Sequence, residues 1–172
     1  MRLSKLEIFL LFLAFLSLTF TFIALTIPPQ KIGLRLLRQT VESSAKSELI
    51  GRIATQIQRT CLTWKDKRAC YLRETFNWVR KHVRPRNDTL LENFLLLNNE
   101  PSYTIEHGND CEGFAVLIAS ILKRLNVSNI YLLWGVKGEN LAHVCVLVQL
   151  DDWTFRSFYC YSDFDYKWVE RV

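Results

Sequence analysis

The segment His107–Leu125, "HGNDCEGFAVLIASILKRL", decides how this chain folds. A polar turn runs into a long apolar segment, and Cys111 sits at the join. Asn109 or Asp110 suits an N-cap, and Gly108 loosens the turn before it, which places Cys111 in the first helical turn. Phe114, Val116, Leu117, Ile118, Ile121, Leu122 and Leu125 cover nearly every side of that helix, so it is expected to be buried. Free backbone N–H groups and the positive dipole end converge at its N-terminus. Both lower the pKa of a thiol, and the thiolate is the nucleophile. The same N–H groups can hold a developing oxyanion. A buried cysteine acting as a small hydrophobe fits the local sequence as well.

Downstream, "NIYLLWGV", "AHVCVLVQL" and "TFRSFYCY" read as strands. They are separated by Lys137-Gly138-Glu139-Asn140 and Asp151-Asp152, short turns that predict an antiparallel meander. Upstream, Leu37, Val41, Ala45, Leu49, Ile53 and Ile57 recur every fourth residue, the stripe of an amphipathic helix that packs on the globular part or forms a stalk. A second helix carries Leu72, Phe76, Val79 and Val83 on one face and stops before Pro85. From Arg84 to Asp110 the signals are mixed, and an irregular connection is expected. Helices first and strands after give an α+β domain.

A cysteine nucleophile needs an imidazole within hydrogen-bond reach. The chain has three histidines. His82 falls at a helix end and His107 in the loop before Cys111. His143 heads a strand in which Val144, Val146, Val148 and Leu150 alternate with His143, Cys145, Leu147 and Gln149. A structural histidine would fit that position too.

The segments "GNDCEGFAVLIASILKRL", "YLLWGV" and "AHVCVLV" resemble the core of the transglutaminase-like cysteine enzyme superfamily. "FNWVRKHVRPRND" and "LLNNEPSYTIEHGNDC" are similar to its helix and approach loop before the cysteine, so the resemblance covers about Tyr71 to Cys160. It implies a papain-like α+β core with the Cys-bearing helix packed on an antiparallel sheet. It also implies thiol chemistry on amides: peptide hydrolysis, transamidation or deglycosylation. By position, Cys111 matches the nucleophile and His143 the general base. The family usually has an acid about fifteen residues after the histidine, where this chain reads "TFRSFYCY" without a carboxylate. Asp163 or Asp165 could reach round, Ser157 or a backbone carbonyl could orient the imidazole, or the triad is broken.

Of the five cysteines, Cys145 falls opposite Cys160 in a hairpin centred on Asp152-Trp153, and Cys61 and Cys70 flank the loop "LTWKDKRA". Two disulfides and a free Cys111 would fit an exported thiol enzyme. Four reduced core cysteines in a cytosolic domain fit the sequence nearly as well. No C-x-x-C or His-x₃₋₅-His spacing suggests zinc, and no cofactor or metal is expected. The sequons at Asn87 and Asn126 are frequent chance patterns.

From Ile8 to Gln30 the chain carries no charge and then meets Pro28-Pro29 without a small-residue cleavage site. About 20 apolar residues span a bilayer as helix, whereas a signal-peptide core is usually shorter, ~7–15 residues. The run is read as an uncleaved membrane anchor, residues 1–30. Residues 31–60 are then a juxtamembrane helix, and 61–172 the transglutaminase-like domain. Net charge is +5, with 14 Lys+Arg against 4 Asp+Glu from Lys31 to Arg86 and 6 against 12 from Asn87 to Val172. The basic block is most simply a solvated face. It can also meet anionic lipid, while no nucleic-acid-binding motif is present and no nucleic-acid partner is expected. Basic residues after the apolar run favour an inside domain, whereas the short N-terminal tail and the cysteines favour an outside one. The expected function is a membrane-anchored amide hydrolase or acyltransferase acting on protein or peptide. A degenerate domain serving as a binding module is the alternative.

Overall fold

The computed structural model describes residues 5–26, 28–86, 99–138, 141–151 and 154–172, with side chains in the first helix described only from 9 to 19. Asn87 and the centres of the two expected turns, Glu139-Asn140 and Asp152-Trp153, lie outside the described residues.

The apolar run forms α1, Lys5–Thr26. Phe9, Leu10, Leu11, Phe12, Leu13, Phe15, Leu16 and Leu18 stand exposed on it. Among the described residues no helix is long and apolar enough to cross a membrane, so the expected transmembrane helix is not found there.

The single expected stripe from Leu37 to Ile57 is carried by two helices. Helix α2 (Pro29–Ser44) starts with proline at N1 and buries Leu34, Leu37 and Val41. It breaks at Ala45, because Ser47 caps a new helix by accepting the Ile50 N–H at 3.3 Å. Helix α3 (Glu48–Thr60) then buries Ile50, Ile53, Ala54 and Ile57. Helix α4 (Lys67–His82) is capped by Asp66, which accepts the Ala69 N–H at 2.9 Å. The Arg68 guanidinium on it donates to the carbonyls of Ser128, Gln149 and Leu150, fastening α4 to the end of a strand. The expected irregular connection contains a further short helix, α5 (Pro101–His107). The Cys111 helix is α6, Cys111–Arg124, and every residue from Gly113 to Leu122 is buried.

Strands β1 (Ile130–Lys137), β2 (Leu141–Gln149), β3 (Phe155–Phe158) and β4 (Asp165–Arg171) form one antiparallel sheet in the order β3-β2-β1-β4. The first three are the expected meander. The sequence analysis missed β4, whose polar, alternating "DYKWVER" lacks a continuous apolar run. Its register against β1 shifts between Trp134 and Gly135, where the Tyr166 ring lies over the glycine. The core is one cluster in which α6 packs on β1 and β2, and α2 packs on α6, β1 and β4. Val144, Val146 and Val148 belong to that cluster, while buried Cys145 stands outside it, as strand alternation requires. Trp134 packs against Gly33 of α2.

Candidate active site

The N-terminus of α6 is held by a small set of side chains. Asp110 is the N-cap and accepts the Glu112 N–H at 3.0 Å. Asn109 is fully buried; its amide donates to the Thr104 hydroxyl at 2.9 Å and its carbonyl oxygen accepts the Asp110 N–H at 2.8 Å. Its backbone pairs with the residues around Pro85: Arg86 N–H donates to the Asn109 carbonyl at 2.8 Å, and Asn109 N–H to the Arg84 carbonyl at 3.3 Å. Two glycines make this packing possible. A Cβ on Gly113 would sit 2.2 Å from the Asn109 amide, and one on Gly108, at φ +77°, would sit 2.4 Å from the Arg84 carbonyl.

Cys111 therefore emerges at a fixed point. Its sulfur accepts the backbone N–H of Val144 on β2 at 3.5 Å. That N–H is available because β3 ends at Phe158, opposite Val146, and leaves the edge of β2 open beyond it. Cys111 and His143, the residue before Val144, line one cavity of about 730 Å³. Phe76, Phe114, Tyr159, Tyr161, Arg80 and Arg86 complete most of its wall.

The His143 ring is held on its far side. Nε2 lies 2.6 Å from the Tyr159 carbonyl oxygen, and Tyr161 and Phe164 pack on the ring with centroids 4.9 and 5.2 Å away. A carbonyl only accepts, so in the neutral imidazole Nε2 carries the proton and Nδ1 keeps the lone pair. Asp163 does not orient the ring, because it is paired with Lys137. Asp165 is paired with Lys167 at 3.0 Å, and Ser157 is exposed opposite Leu147. The backbone carbonyl, one of the options open from sequence, is the group that reaches the imidazole. It had no side-chain signature to find it by.

The thiol differs from its sequence expectation. Burial pushes the Cys111 pKa up to about 12, the Asp110 and Glu112 carboxylates push the same way, and the N–H groups of Val144 and of Cys111 itself only partly oppose this. The pull of the helix N-terminus toward a thiolate is outweighed first by burial and then by the capping carboxylate. Burial also raises the Asp110 pKa, against the pull of the Glu112 and Gly113 N–H groups and of His143. The Asp110 carboxylate and the His143 imidazole therefore interact electrostatically, beside the carboxylate's use as a cap.

The other histidines and the cysteines agree with the sequence reading except for the setting of His107 and the hairpin register. His82 stacks on Trp78 with centroids 4.4 Å apart and lies at the end of α4. His107 ends α5, not a loop, and stacks on Tyr103 at 4.4 Å. Both disulfides are formed, Cys61–Cys70 and Cys145–Cys160, and Cys111 is the free cysteine. The hairpin register is one residue away from the expected one: Val146 pairs with Phe158, and the same register continued beyond β3 would set Cys145 opposite Tyr159. Tyr159 takes up the difference in a left-handed conformation, φ +58°. Among the described residues no group of three or more His, Cys, Asp or Glu side chains is placed to hold a metal ion.

A family model described as a transglutaminase-like domain matches residues 36–156, more than half of the chain, including both Cys111 and His143. The chain belongs to the transglutaminase-like domain family. The match ends before Tyr159, Tyr161 and Phe164, the residues that hold His143. No curated protein and no solved structure matches the chain. The α+β fold, with a Cys-bearing helix on an antiparallel sheet, agrees with the family.

Proposed function

We propose that this transglutaminase-like chain is a membrane-anchored cysteine hydrolase or acyltransferase acting on amide bonds of proteins or peptides. The observation that carries the reading is the shared cavity: Cys111 and His143 both line it, with Nε2–H of the imidazole already committed to the Tyr159 carbonyl. Nδ1 is then the basic atom. Because burial holds the thiol protonated, the proton leaves Cys111 during attack and not before it. His143 takes that proton, the sulfur adds to the amide carbonyl, and the N–H of Cys111 is a donor beside the new oxyanion. The amine departs with the proton from His143 and leaves a thioester. Water, or a second amine, resolves it and returns the thiol. Asp110 stabilises the imidazolium formed midway.

Helix α1 is the anchor in this reading. That part of the reading rests on the sequence, which carries no charge from Ile8 to Gln30. The described apolar side chains of α1 are exposed in a continuous run. The two disulfides favour an oxidising, extracytoplasmic side for the domain. The test is capture by an electrophilic peptide probe added to intact membranes, with the wild-type chain and with Cys111→Ser. Labelling of the wild type alone, from outside, is the expected result. A wild-type chain left unlabelled after permeabilisation would sink the enzyme reading.

A second reading has one observation of its own. The thiol is held protonated, and among the described residues the partner of His143 Nε2 is a backbone carbonyl and not a carboxylate, which suits a domain that binds peptide in the same cavity without cleaving it. Peptide binding that survives Cys111→Ser, without any turnover by the wild type, would select it.

A further inference from the structure

We propose that the Cys145–Cys160 disulfide is the positioning element of this site: it fixes Tyr159 so that its carbonyl holds His143, and opening it switches the site off. The inference rests on the assignment of His143 as base.

Four observations meet at one place. Tyr159 lies between β3, which ends at Phe158, and Cys160. It is one of three non-glycine residues with positive φ among the described residues, a conformation that a side chain of this size adopts only when its surroundings impose it. The register continued beyond β3 would set Cys145 opposite Tyr159, yet the disulfide joins Cys145 to Cys160, so the chain must advance one residue within the bond's reach. The left-handed turn at Tyr159 provides that advance. The same turn aims its carbonyl oxygen at His143 Nε2, 2.6 Å away. Packing of the Tyr159 ring against Phe76 and Phe114, at 5.5 and 5.3 Å, holds the side chain but leaves the peptide plane free to rotate. The disulfide removes that freedom.

Without the bond, Tyr159 relaxes toward negative φ. Its carbonyl then turns from the imidazole, and Nε2–H loses the acceptor that selects the tautomer. The reaction that opens it is exchange with a dithiol reductant. One thiolate of the reductant attacks the half-buried Cys160 sulfur, and Cys145 leaves as a thiol. The second reductant thiol displaces Cys160 and closes the reductant's own disulfide. Two electrons pass to the protein cystine, and the two protons end on Cys145 and Cys160. In a compartment that keeps thiols reduced, the chain is folded around an unpositioned base; on an oxidising side, bond formation completes the site.

The experiment uses the full chain in detergent micelles. Ring ¹⁵N resonances of His143, assigned with His143→Ala, report the tautomer. The rate of iodoacetamide addition at Cys111, followed by peptide mass spectrometry, reports the base. Both are measured before and after treatment with a dithiol. Cys61→Ala/Cys70→Ala, which leaves only the 145–160 bond to open, serves as a control. Tyr159→Pro is the companion variant, with both cysteines kept and φ forced near −65°. The expected result is a single Nε2-protonated ring in the oxidised protein, a mixture of tautomers after reduction and in Tyr159→Pro, and a drop in Cys111 reactivity of about tenfold or more. An unchanged tautomer and an unchanged Cys111 rate, in either reduced protein or Tyr159→Pro, overturn the proposal. If His143→Ala leaves Cys111 reactivity of the oxidised protein unaltered, the base assignment fails instead, and the ¹⁵N spectra alone judge the clamp.

Discussion

The two sides of the cavity are built by different means. On the helix side, side chains set the helix start: Asp110 caps α6, Asn109 fills the space that Gly113 leaves, and Thr104 receives the Asn109 amide. On the strand side, main chain does the work. The Val144 N–H meets the Cys111 sulfur, and the Tyr159 carbonyl meets His143. A side-chain partner leaves its mark in a one-letter code, whereas any residue supplies a carbonyl. The helix side also shows that position and electrostatics can disagree. The helix N-terminus favours a thiolate, but the buried setting and the capping carboxylate hold the proton on.

The largest test of this contrast is Cys111→Ala. With the other four cysteines in disulfides, the native chain should take up iodoacetamide at Cys111, and the variant should show no labelling under non-reducing conditions. Labelling elsewhere would break the disulfide assignment on which the strand side depends.

Next in size is a pH dependence. A thiol pushed up to about 12 stays protonated well above the ordinary cysteine value of about 8.5, so its thiolate fraction climbs through the whole alkaline range. In His143→Ala, the alkylation rate of Cys111 should therefore rise about tenfold per pH unit from pH 7 to pH 10 without levelling. A plateau near pH 8.5 would show that burial does not control the sulfur. The wild type should depart from that line, because His143 takes the thiol proton during the reaction.

A smaller effect sharpens the helix side. Gly113→Ala places a methyl group 2.2 Å from the Asn109 amide, which is held by Thr104 and cannot swing away freely. A loss of about 1–3 kcal/mol is expected, read as a lowered Tm. Unchanged stability would mean that Asn109 is not locked over the helix start. The smallest effect is assigned to Asp163→Asn. Asp163 is exposed and paired with Lys137, away from the imidazole, so Cys111 reactivity and probe capture should stay within about twofold of wild type. A large fall there would restore a side-chain acid to the strand side.

Legibility follows the same division. The buried Cys111 helix, a cap at Asn109 or Asp110 and the three-strand meander were readable, because each rests on residue type and short-range spacing. The split of the upstream stripe into α2 and α3 was hidden, since the apolar period runs unbroken through Ala45 and only the capping bond of Ser47 ends one helix and starts the other. Helix α5 was hidden within mixed signals, and β4 was hidden because an edge strand needs few apolar residues. The pairing of the cysteines was anticipated while the register was off by one, a displacement that no periodicity records and that the left-handed Tyr159 absorbs.

From sequence alone came the class of fold, the thiol at the mouth of a buried helix and the imidazole at the head of a strand. Local propensity and apolar spacing are enough to specify those, because neighbouring residues within one element decide them. Which group faces the other nitrogen of the imidazole, and whether the sulfur keeps its proton, were settled only when distant segments met. Both depend on the direction of backbone dipoles and on the exclusion of water, and those exist only once helix and sheet enclose the cavity.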